Sequence, residues 1–216
     1  MFPIGDAIPA RRFPFFNLLF IGITFYVFFK QLTAPDPEAF INEYALIPAY
    51  VDFANSRTLI PFLTSMFLHG GFLHIISNML FLYVFGDNVE GELPFLFYPV
   101  LYIGAGLAGG FAQYILSPES TVPMLGASGA VAGALGAYFA MFPHHKIKTV
   151  IFFGFISVVE ISASFMLGYW ILLQVVSGFV SLPGLSSSEG GVAFFAHIGG
   201  FAFGYLFAFL FKRRSE

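Results

Sequence analysis

Ser128 lies in the stretch Gly126-Ala127-Ser128-Gly129-Ala130 and His197 in Ala196-His197-Ile198-Gly199-Gly200, each inside a run apolar enough for a lipid bilayer. Polar and ionisable side chains are costly there, so a serine and a histidine in such runs are a functional hypothesis from the start. The chemistry open to the pair is nucleophilic catalysis, in which a neutral imidazole takes the hydroxyl proton as general base and later returns it to a leaving amine. No Asp or Glu stands near His197 in its own run, so the sequence offers a dyad, without the orienting carboxylate of a triad. His74 and Asn78 are spaced i and i+4, on one face of a helix, and can aim two donors at one point. With the backbone N–H of Ser128 they would stabilise an oxyanion. His69, in His69-Gly70-Gly71, fits a loop-pinning role, while His144 and His145 beside Lys146 fit a solvated surface.

Each of these residues also has a plainer use. A membrane serine can bond back to its own helix carbonyls, and a histidine can simply join two helices. Gly126, Gly129 and Gly133, with Ala127, Ala130, Ala134 and Ala137, form a small-residue face, and Gly199 with Gly200-x-x-x-Gly204 forms a matching one. Such faces let two backbones approach closely, and packing these two together would bring Ser128 against His197.

The elements that must position the pair are membrane helices. Of the 216 residues 58% are hydrophobic and 10% charged, with a mean hydropathy of +0.84, far outside the usual range of soluble domains. There is no Cys, which removes disulfides, zinc-thiolate sites and a catalytic thiol, and the net charge of −3 leaves no footprint for nucleic acid. No His-Glu-x-x-His pattern is present, and no metal or other cofactor is expected. A bilayer core needs roughly 20 apolar residues per helix. By that measure six spans are predicted, at about 14–29, 66–85, 95–116, 124–142, 164–182 and 192–211, in one membrane domain over 1–216 with no soluble domain appended. Arg11-Arg12 is followed by bulky residues and no small-residue cleavage site, so the first run reads as a permanent anchor. The apolar segment 149–163 contains Glu160 and reads as re-entrant or interfacial.

Basic residues fix the expected orientation. Arg11, Arg12, Lys146, Lys148, Lys212, Arg213 and Arg214 fall on one side, leaving Lys30 and Arg57 on the other, so both termini are expected in the cytoplasm. Ser128 then lies about four residues inside the outer face, roughly 6 Å at 1.5 Å per residue. His197, His74 and Asn78 fall in the same outer half of the bilayer.

With these motifs in order on six spans, the chain resembles the rhomboid family of intramembrane serine proteases. His69-Gly70-Gly71-Phe72-Leu73-His74-Ile75-Ile76-Ser77-Asn78 is similar to the family's second-helix motif, Gly126 to Gly129 to its GxSG nucleophile motif, and Ala196 to Gly200 with Gly204 to its sixth-helix motif. The resemblance implies an all-α six-helix bundle, Ser128 as nucleophile, His197 as general base, and His74 with Asn78 at the oxyanion. It also implies a structural role for Glu90, the family's acidic position at the cytoplasmic end of span two. Two positions depart from the pattern. Where some relatives have an aromatic residue that stacks on the histidine, this chain has Ala132, and the only Trp is Trp170 in span five instead of in the first outer loop.

What the resemblance implies in function is hydrolysis of peptide bonds in transmembrane protein substrates near their outer ends, in a prokaryotic cell (inner) membrane. A helix hides its carbonyls in internal hydrogen bonds, so the substrate must unwind, and segments weakened by Gly, Ala, Ser or Pro should be preferred. Water would enter by a cavity open to the outside, with residues 183–191 as its cap. The competing readings are an inactive relative that binds membrane helices and a small-solute transporter, although no inverted repeat is visible and the polar groups gather at one depth.

Overall fold

A computed structural model describes residues 2–7, 10–152, 154–182 and 192–212. The chain runs β1 (Phe2–Asp6), α1 (Phe15–Leu32), α2 (Pro37–Tyr44), α3 (Pro61–Thr64), α4 (Phe72–Glu92), α5 (Phe97–Leu116), α6 (Ser128–Met141), β2 (Lys146–Phe152), β3 (Ile156–Ser162), α7 (Ala163–Val180) and α8 (Phe194–Lys212). The six apolar runs become α1, α4, α5, α6, α7 and α8. All but α6 are long and apolar enough to cross a bilayer. At 14 residues α6 is only about 21 Å long. It is also the most enclosed helix, with an unbroken buried run from Gly129 to Tyr138. Surrounded by protein, it has no need of the length that a lipid-facing helix requires.

Two predicted boundaries move, for local reasons. Span two begins at Phe72 instead of 66, because 61–67 fold into the short α3 and a tight 3-10 turn, and it runs on to Glu92. Span four begins at Ser128 instead of 124. Pro123 and the left-handed Gly126 (φ +127°) keep the preceding segment extended, and Met124 exchanges two backbone hydrogen bonds with Leu46.

The polar residues at the end of α4 explain why the helix can continue. The Glu90 carboxylate accepts from the backbone N–H groups of Phe16 (2.9 Å) and Asn17 (2.7 Å), the first turn of α1. Those groups have no partner within α1, whose own N-cap makes no side-chain bond. In return the Arg12 guanidinium donates to the carbonyls of Gly91 and Leu93 at the end of α4. The expected structural role of Glu90 thus has a definite content, the capping of α1 from α4. Charge-assisted hydrogen bonds in buried positions are each worth about 1.5–3 kcal/mol. Glu90→Gln should therefore destabilise the protein by about 2 kcal/mol, read as a lower thermal midpoint in detergent. An unchanged midpoint would mean that the α1 N–H groups find other acceptors.

The segment 149–163, expected to be re-entrant or interfacial, forms a β-hairpin. β2 and β3 pair antiparallel and β1 adds to β2, giving the sheet order β1-β2-β3. The alternation is legible afterwards: Ile147 and Thr149 are buried, while Lys146, Lys148, Val158 and Glu160 lie exposed. Glu160 stands directly across from Lys148 in the ladder, an opposite-charge pair on the exposed face. The sheet is tied to the bundle by Asp6, which accepts from Tyr138 Oη (2.9 Å) and from the Asn88 side chain. His145, expected to be solvated, is half-buried and stacks on Phe142 at 4.7 Å, whereas His144 is exposed.

Candidate active site

Ser128 opens α6 at a turn that only glycine can make. A Cβ at Gly126 would meet strain from its positive φ and would lie 2.8 Å from His74 Nε2. The turn is held by the Gly126 N–H donating to Ser65 O (2.9 Å), and α6 starts with Val131 N–H donating to Ala127 O (2.8 Å). Ser128 thus sits half-buried at the N-terminal end of a helix whose first backbone donors are free of helical partners.

The glycine faces predicted to bring α6 and α8 together do so by backbone contact. A Cβ on Gly200 would fall against the Gly129 carbonyl oxygen, and one on Gly204 against that of Gly133. The Ala196 carbonyl, next to His197, lies 3.5 Å from the corresponding position on Gly129, next to Ser128. Ser128 and His197 consequently line one cavity of about 550 Å³, together with His74, Ser77 and Asn78 from α4 and Gln113 from α5. All four residues singled out for chemistry are therefore gathered at one place.

The hydrogen bonds around the α4 groups set their protons. Gly70 N–H donates to His74 Nδ1 (3.3 Å), so the proton of a neutral His74 resides on Nε2, facing the Ser128 turn. Asn78 Nδ2 lies 3.7 Å from the point that Nε2 approaches beside Gly126. Behind them the His69 ring is fully buried and its Nε2 receives the Asn78 amide (3.1 Å) and, at longer range, the Ala127 N–H (3.5 Å). The backbone of His69 is in turn clamped to Gln31 of α1, which donates to its carbonyl (2.7 Å) and accepts from its N–H (3.2 Å). The loop-pinning role expected of His69 thus extends to orienting the Asn78 amide.

His197 is held from α7. Its Nδ1–H donates to Gln174 Oε1 at 2.7 Å, and the Trp170 ring packs on the imidazole with centroids 5.7 Å apart and planes at 36°. This fills the place left by Ala132. The sequence motifs do not single out Trp170 and Gln174 as site residues, although their i, i+4 spacing on an apolar span is a usable signal. Gln113 carried no such signal; its Oε1 accepts from Phe195 N–H (3.1 Å) and ties the start of α8 to α5. The first loop, which carries no Trp, is anchored through the Leu46–Met124 bridge and through Thr64 Oγ1 donating to Tyr44 O (2.8 Å). Among the described residues no three His, Asp or Glu side chains gather closely enough to hold a metal ion. Residues 183–191, expected to cap the cavity, lie outside the described residues.

A helical bundle with several helices long and apolar enough to cross a bilayer, around a chamber lined by His74 and His197, defines an integral, multi-pass membrane protein. The family model for the Rhomboid domain matches residues 56–214, and the chain belongs to the rhomboid family. It is 30% identical over 154 residues to RHOMBOID-like protein 5 of Arabidopsis thaliana, covering 71% of this chain and 44% of that protein. It is 28% identical over 181 residues to Rhomboid protein 1, mitochondrial, of Saccharomyces cerevisiae (82% of this chain, 48% of that protein). To the Rhomboid protease GluP of Bacillus subtilis it is 41% identical over 78 residues, 35% of this chain and 14% of that protein. The chain spans less than half the length of these curated relatives. They come from a plant, a yeast mitochondrion and a bacterium, so membership does not support the expectation of a prokaryotic inner membrane.

Proposed function

We propose that this protein is an intramembrane serine endopeptidase that hydrolyses peptide bonds in or near the transmembrane segments of membrane proteins. The observation that carries the reading is the single cavity shared by Ser128, His197, His74 and Asn78, which come from three different helices. Ser128 Oγ attacks the substrate carbonyl carbon while His197 Nε2 accepts its proton. The oxyanion is met by His74 Nε2–H, Asn78 Nδ2–H and the Ser128 backbone N–H. His197 then gives the proton to the departing amine as the C–N bond breaks, and water hydrolyses the acyl-enzyme with His197 again as base. The cavity lies at the starts of α4, α6 and α8, away from Arg11, Arg12 and Lys146, the outer side on the charge rule.

The test is covalent labelling of the purified protein by a fluorophosphonate, read by intact mass, beside Ser128→Ala and His197→Ala. One adduct on the parent and none on either variant is the expected result. No adduct on folded parent would favour a helix-binding relative without activity. On the same reading Asn78→Ala should lower kcat about 100-fold to 1000-fold, the usual effect of losing one oxyanion donor, with little change in KM. A loss confined to KM would move Asn78 from the oxyanion to substrate binding.

A further inference from the structure

We propose that Gln174 is a positioning residue for His197, the neutral third member of a Ser128-His197-Gln174 relay. The proposal rests on the endopeptidase reading of the same site. An imidazole can serve as base toward Ser128 only if its proton is on the far nitrogen, and which nitrogen carries it is set by the bond that the other makes. Gln174 Oε1 is an acceptor 2.7 Å from His197 Nδ1, so it selects the Nδ1–H tautomer and leaves the Nε2 lone pair for the serine proton. In a Ser-His-Asp triad the carboxylate does this work. Among the described residues no carboxylate stands beside His197, and one there would have to be desolvated within an apolar bundle. An amide supplies the same directional acceptor without an added charge.

The surroundings of Gln174 fit this task better than they fit packing. On α7 the buried Ala163, Met166, Leu167 and Gly178 and the half-buried Trp170 and Gln174 lie along one stripe, flanked by the half-buried Ile171 and Val175, and Leu172, Leu173 and Val176 are exposed. Gln174 is the one amide in that stripe, where an apolar residue of the same length would pack equally well. One turn away, Trp170 lies against the face of the same imidazole. Two side chains at i and i+4 thus fix the ring in both respects, Trp170 its plane and Gln174 its rotation and its proton. Trp170 also reaches Phe201 at 6.3 Å, which connects the support to the body of α8.

The experiment compares Gln174→Met, which keeps length and apolar packing, with Gln174→Glu, which keeps the acceptor. Cleavage of a transmembrane substrate in vesicles gives kcat and KM, and ¹⁵N shifts of His197, assigned by difference from His197→Ala, give the tautomer without reference to activity. Gln174→Met should lose about 10-fold to 100-fold in kcat, a part of what general base catalysis contributes. Its KM should stay within about 2-fold of the parent, and its His197 should show a mixture of tautomers. Gln174→Glu should retain most of kcat and the Nδ1–H tautomer. Parent-like kcat in Gln174→Met, or equal losses in both variants, would overturn the proposal. A parent that shows the Nδ1–H tautomer yet neither labels nor cleaves would overturn the endopeptidase reading, and the catalytic role of Gln174 with it.

Discussion

Ser128→Ala should abolish measurable cleavage of a transmembrane substrate in vesicles, with kcat falling by about 10⁶-fold, the loss seen when a serine protease loses its nucleophile. The structure makes this a clean change. Ser128 is the first residue of α6, where Ala is well accepted, and the helix is started by the Val131 to Ala127 backbone bond, which needs no side chain. The thermal midpoint should therefore stay where it is in the parent. If the two side chains form the proposed dyad, His197→Ala should match it in activity, and combining the changes should cost little more than either alone. Additive losses would separate the two roles, and substantial residual cleavage in Ser128→Ala would end the nucleophile assignment.

Gly204→Val should prevent the bundle from forming at all. The Cβ of any residue at 204 would occupy space already filled by the Gly133 carbonyl oxygen, which belongs to backbone and cannot rotate aside. Ordinary overpacking costs about 1–3 kcal/mol because side chains can shift; separating α8 from α6 should exceed that range. The expected result is aggregation in detergent without a cooperative thermal transition. Gly22→Val on α1 is the control, since nothing lies within 4 Å of its Cβ position, and it should behave as the parent does. A folded, parent-like Gly204→Val would show that α6 and α8 can part without loss of the fold.

The helices and the residues gathered at the cavity were legible because two strong signals coincide in them. Apolar runs marked α1, α4, α5, α6, α7 and α8, and the small-residue faces of Gly129, Gly133, Gly200 and Gly204 marked which two helices touch. The hairpin of β2 and β3 was hidden, because a run such as Thr149-Val150-Ile151-Phe152 is equally apolar as a strand or as part of a helix, and periodicity does not decide between them over so few residues. The supports of His197 were hidden for another reason. Gln174 reaches it from a different helix, and the hydrogen bond leaves no pattern in α8; only the i, i+4 spacing of Trp170 and Gln174 on α7 hints at it. His69 behind Asn78 is the intermediate case: its motif was visible, whereas its grip on the Asn78 amide depends on how α1 and α4 meet.

The sheet imposes an order on how this chain is made. β1 is synthesised before α1, but its partner β2 follows α1, α4, α5 and α6, so the strand must wait while all four are inserted. Pairings between distant segments are slow to close, and Asp6 reaches its partners on α4 and α6 only when those helices stand side by side. Docking of β1 is thus a late step of biogenesis and a natural checkpoint for it. A bulky fusion placed directly before Phe2 should leave insertion intact while trapping the protein one step short of completion.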